Sequence, residues 1–202
     1  MFPLFLIAQG VMLGGLILLV RFIHRVRRPL PIPTVPGPKL TCSTAEPGEG
    51  TVEYLHLRPG TAPPPLNETE PFKAVVMVEA DVAPEWQYLI SDWLVRSGCL
   101  YMMAWGRKCI DWDTSVDESN RALVTLGEFP EEHFVMTTWH DGDPLKEVFW
   151  FSMMCAFHDT VDLNKTYILH IAPESEAAKT LKTFQEVQEG VRRGEIPDDW
   201  EG

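Results

Sequence analysis

From Phe72 onward the chain alternates between short apolar runs and stretches with helical spacing. Lys73-Ala-Val-Val-Met-Val-Glu79 is apolar almost throughout and ends in an acid, which predicts a buried strand. Ala83 to Ser97 sets Trp86, Leu89, Ile90, Trp93 and Leu94 on one helix face, and Gly98 suits the C-terminus of that helix. Cys99 to Ala104 predicts a second strand, Asp113 to Leu126 a helix polar on one side, and Phe134 to Trp139 a third strand. Asp143-Pro144 is a good helix start, with Asp as cap and Pro in the first turn. The helix expected behind it runs to about His158. It is apolar nearly all round, so burial on most sides is expected. Tyr167 to Ile171 predicts a fourth strand, and Glu174 to about Arg193 an amphipathic helix with Leu181, Phe184, Val187 and Val191 near one stripe. Such alternation predicts an α/β fold, a Rossmann-like domain with a mostly parallel four-stranded sheet.

The pattern before Phe72 is different. Phe2 to Val20 is an almost unbroken apolar run, followed at once by Arg21, His24, Arg25, Arg27 and Arg28. A bilayer-spanning helix needs about 20 apolar residues. A cleaved signal peptide would carry its basic residues before the apolar stretch, so residues 1–28 predict an uncleaved membrane anchor. The arginines stay on the cytoplasmic side and contact lipid headgroups, which puts the N-terminus outside and the C-terminal bulk in the cytoplasm of an inner-membrane protein. Gly10 and Gly14 share a helix face beside Gln9 and form a candidate helix-packing surface, although glycine is also simply common in membrane helices. Residues 29–71 read as an extended linker, because they hold 11 of the 17 prolines. Within them Thr51-Val-Glu-Tyr-Leu-His-Leu57 alternates enough to be a short strand docked on something. Residues 72–202 form the expected domain.

Charge sharpens this division. The anchor holds four arginines and no acid, so the remainder carries 13 basic against 29 acidic residues, a net of −16. A surface so acidic argues against nucleic acid as a partner, although solubility alone also explains it. Cys42, Cys99, Cys109 and Cys155 show no paired spacing, and Cys99 and Cys155 are expected to be buried reduced thiols. Cys155-x-x-His158 is half a zinc site without a second pair, so no metal and no other cofactor is assigned.

In a parallel sheet, ligands bind beyond the carboxyl ends of the strands. Those ends carry Glu79 and Asp81, Trp105 to Lys108, His140-Asp141-Gly142-Asp143 and, nearby, His170. Glu79 and Asp81 facing His140, Asp141 and Asp143 would have the chemistry for a divalent cation or a general acid and base. A helix cap, a turn and a solvated loop explain the same residues without any reaction. The first strand is followed by Glu79-Ala-Asp-Val-Ala-Pro84, with no glycine-rich phosphate loop, and no GxSxG elbow is present.

Three strings are distinctive: Ser97 to Gly106, Cys109 to Asp113, and Val135-Met-Thr-Thr-Trp-His-Asp-Gly-Asp-Pro-Leu-Lys-Glu-Val-Phe-Trp-Phe151. They resemble a family of small bacterial α/β proteins of uncharacterised function, over roughly residues 73–172. The resemblance implies a compact α/β domain and carries over no catalytic residues. The anchor and linker depart from it. The leading expectation is a non-catalytic, single-pass accessory or scaffolding subunit that docks on integral membrane subunits, with a photosynthetic or respiratory assembly as one host. The alternative is a membrane-tethered enzyme, or a small-ligand or metal sensor, working at the strand ends.

Overall fold

The computed structural model describes residues 50–66, 70–127 and 133–196. The expected membrane span, with Gly10, Gly14, Arg21, Arg25, Arg27 and Arg28, lies outside the described residues. Among the described residues no helix is long and apolar enough to cross a membrane.

The domain is α/β with a parallel sheet of five strands and four helices. The strands are β1 (Thr51–Leu57), β2 (Phe72–Val78), β3 (Cys99–Gly106), β4 (Met136–His140) and β5 (Lys165–Ile171). The helices are α1 (Pro84–Arg96), α2 (Cys109–Thr125), α3 (Leu145–Met154) and α4 (Ala177–Arg192). The sheet order is β1-β5-β2-β3-β4, and every pairing is parallel. The four-stranded expectation therefore needs a fifth strand. Thr51–Leu57, inside the proline-rich stretch, pairs along its whole length with β5, from Thr51 opposite Lys165 to Leu57 opposite Ile171. It alternates because it is an edge strand, with Thr51 and Glu53 exposed. The prolines behind it lie on α1. The Trp86 indole donates to the Thr61 carbonyl at 2.6 Å, and the Trp93 indole to the Pro64 carbonyl at 2.9 Å. The domain's own helix holds this part of the stretch.

β2 is central, so every residue of Phe72–Val78 is buried, as a strand covered on both faces requires. One face packs against α1 and α2 through Ile90, Leu94, Trp112 and Val116. The other packs against α3 and α4 through Val148, Phe149 and Phe184. At the end of β3 the chain approaches β2 so closely that a Cβ on Gly106 would lie 2.5 Å from the Val78 carbonyl oxygen. With φ at +89° as well, the position admits only glycine without strain.

Several local expectations change. α3 stops at Met154, short of His158, and buries only Val148, Phe149 and Ser152, because it covers the sheet as a single outer layer. Phe157 is 64% exposed. Asp143 does not cap α3, since Pro144 occupies the cap position and no side chain bonds the first turn. Leu89 is half exposed, while Gln87 and Ser91 turn inward to Ser115. Cys109 is buried with Cys99, whereas Cys155 sits half-buried at the end of α3.

Candidate functional site at the carboxyl end of the sheet

The chain leaves β2 toward the α1 layer and β5 toward the α4 layer. These adjacent strands thus form the topological switch point, where the following loops diverge to opposite faces of the sheet. His170, near the end of β5, is fully buried there. Its Nε2 lies 2.6 Å from Glu79 Oε2 and its Nδ1 2.5 Å from the Tyr54 hydroxyl. The Tyr54 oxygen already accepts the Glu176 backbone N–H at 3.1 Å and the Ser175 hydroxyl at 3.4 Å. Its own proton therefore goes to Nδ1, which leaves the Nε2 proton for Glu79. The Glu79 side chain is 41% exposed, so the chain of bonds runs from solvent through a sealed imidazole to the start of α4. His56 stands opposite His170 in register, with its ring 6.0 Å away and its Nε2 donating to the Ala172 carbonyl at 2.9 Å.

The other acids and bases predicted for this end have separate partners. Asp81 pairs with Arg107 at 3.0 Å, both well exposed. His140 is buried, with Nδ1 at 3.1 Å from Asp143 Oδ2, Nε2 at 3.3 Å from the Thr138 hydroxyl, and its ring edge-on to Phe151. The Asp143 carbonyl accepts the Trp105 indole N–H at 2.7 Å. Asp141 is exposed. β3 separates β2 from β4, which spaces the two groups by about 10 Å of sheet. Glu79 thus meets His170, and His140 meets Asp143, within different clusters.

None of the thiols among the described residues is set up as a nucleophile. Burial pushes Cys99 up to about 12. Burial also raises Cys109, where the Asp141 charge adds to the effect, and Cys155. His158 lies outside any ligand set with Cys155, because its Nε2 donates to the Phe134 carbonyl at 3.1 Å. Among the described residues no group of three or more His, Cys, Asp or Glu is placed to hold a metal ion.

The outer strand β4 presents a different surface. One side pairs with β3, and among the described residues no strand pairs with the other. Trp139 is 53% exposed on it, and Phe134, which leads into the strand, is 55% exposed. On the α2 side the Thr137 hydroxyl donates to Asp117 Oδ1 at 2.9 Å. Asp113, one turn earlier, keeps a buried Oδ1 with no hydrogen-bond partner. Burial pushes its carboxyl above the ordinary range, the Thr137 hydroxyl opposes this, and the Asp117 charge adds to it. None of the ion pairs among the described residues involves Asp113, Asp117 or Asp141.

Tyr54 and the role of His170 were not legible as a site, because their contacts span 116 and 91 residues of chain. The one available signal was the acid that ends β2.

Fold and site together define a parallel α/β domain with helices on both faces and a polar cluster at its switch point. The chain belongs to the family described as domain of unknown function (DUF7684), whose model matches residues 52–187. That match begins within β1 and takes in all five strands. No curated protein and no solved structure matches the chain.

Proposed function

We propose that this chain is a single-pass, membrane-anchored accessory subunit, non-catalytic, whose domain docks on integral membrane subunits at the cytoplasmic face. The free edge of β4, flanked by exposed Trp139 and Phe134, carries this reading. Soluble proteins blunt sheet edges with lysine, proline or a covering loop, and Met136–His140 has neither lysine nor proline. The matched family domain, residues 52–187, takes in this edge and α3. The anchor over residues 1–28 and its Gly10/Gly14 face would supply the second contact, within the bilayer. Purification of the intact protein in mild detergent tests this. A membrane subunit in fixed stoichiometry, released by Gly10→Leu with Gly14→Leu, is expected. A monodisperse monomer without such a subunit sinks the proposal.

A second reading rests on the switch-point cluster. Glu79 and His170 lie at the carboxyl ends of adjacent parallel strands, where small ligands bind in open α/β sheets, Tyr54 bonds His170 there, and the Glu79 side chain is part-exposed. A metabolite whose binding heat vanishes in His170→Gln would favour it. A screen in which each binding heat survives that change would remove it.

A further inference from the structure

Five strands end in two edges, and they differ in chemistry. At the β1 edge Glu53 is neutralised by Lys165 at 2.8 Å. On the β4 side Asp113 and Asp117 of α2, and Asp141 just after the strand, have no cationic partner among the described residues, and Trp139 of β4 is half exposed. Thr137 and Trp139 are two residues apart and point to the same side of the sheet as α2. Any strand added to β4 would set alternate side chains on that side, at the same spacing of about 7 Å. Its backbone would fill the open hydrogen-bonding row. A cation there meets uncompensated carboxylates and an aromatic face at once.

We propose that the β4 edge accepts an extended segment of a partner protein as a sixth strand, one with lysine or arginine at alternate positions. The cationic side chains lie over Trp139 and against Asp113 and Asp117, and the intervening apolar residues face the Phe134 side. This rests on the docking reading above and names the chemistry of the partner.

The probe is a fluorescein-labelled peptide of about ten residues alternating Lys and Val, titrated by anisotropy into the full chain in detergent micelles. Binding is expected to weaken at least about tenfold in Trp139→Ala and comparably in Asp113→Asn with Asp117→Asn. A Glu/Val peptide and a peptide N-methylated at alternate backbone amides are expected not to bind. Glu174→Gln with Glu186→Gln removes equal charge away from the edge and is expected to leave affinity within about twofold. Equal weakening in that control, binding of the N-methylated peptide, or no binding of the Lys/Val peptide overturns the proposal. Co-purification separates this failure from that of the docking reading. If Trp139→Ala with Asp113→Asn retains the membrane subunit in full, the edge is not the contact, although docking stands. If the wild-type chain brings no subunit, docking fails and the peptide alone decides the edge.

Discussion

The switch-point cluster and the β4 edge both gather polar and aromatic groups around one sheet, yet they are satisfied in opposite ways. In the cluster both ring nitrogens of His170 are bonded by the chain itself, to Glu79 and Tyr54, and Tyr54 is bonded in turn by Glu176. At the edge, Asp113 keeps a buried oxygen without a donor and Trp139 lies half in water. A group that its own fold satisfies mainly holds that fold together. A group left unsatisfied, or an exposed aromatic on an open strand, does little for the fold and is free to serve a partner. The His170 cluster should therefore dominate stability and the edge should dominate association.

The strongest way to break this contrast is His170→Ala. The change removes a fully buried ring and leaves the Tyr54 proton and the Glu79 carboxylate without their acceptor and donor. Cavity and unpaired polar groups together should cost about 2–4 kcal/mol. Urea unfolding of the full chain in detergent measures it. A loss below about 1 kcal/mol would mean the cluster is not a structural lock, and would shift weight to the ligand-binding reading. Glu79→Gln is milder, because it keeps the shape but weakens a charge-assisted bond at a half-exposed side chain. A loss of about 1 kcal/mol is expected by the same measurement.

The unequal legibility of the two regions has a physical source. Strands and helices from Phe72 onward could be read because burial imposes a period on neighbouring residues. Glu79 could be picked out as a strand-end acid for the same reason. His140 with Asp143 was also accessible, since three residues of one turn separate them. The Tyr54–His170 bond was not, because parallel pairing joins residues 116 apart and a single chain carries no mark of it. β1 was legible as a short alternating strand at Thr51–Leu57, but not as a member of this sheet. The prolines around Thr51–Leu57 argue for an extended linker, and only the register with β5 turns that extended segment into sheet. The length of α3 was overestimated because apolar composition alone does not end a helix. The backbone turns away at Cys155 and exposes Phe157.

Asp113→Asn sharpens the edge side. An amide beside Asp117 gains a donor where the carboxyl oxygen had none, so stabilisation of about 0.5–1 kcal/mol is expected near neutral pH. The pH dependence gives the sign a separate check. Burial, assisted by the Asp117 charge, holds the folded carboxyl above its ordinary value. Between the unfolded and folded titrations the native state keeps a proton that the unfolded chain has lost. The contribution of this group is thus fully present below the unfolded value and lost as pH rises through the folded one. The advantage of the asparagine variant should accordingly shrink as pH falls toward the ordinary aspartate range. An advantage constant from pH 4 to pH 7 would assign the effect to packing instead.

Trp139→Ala should have the smallest effect on the fold. The ring is 53% exposed on an edge strand, and its neighbour on the paired strand is Ala104, too small to clasp it. Truncation therefore exposes little that was buried, and the stability change should stay within about 0.5 kcal/mol by urea unfolding. The same substitution is expected to weaken association most, so the two readouts should separate. A large loss of stability would place Trp139 with the core and remove the reason for treating β4 as a surface kept open for a partner. Unchanged stability with lost association is the pattern that distinguishes an edge reserved for docking from one merely left uncovered.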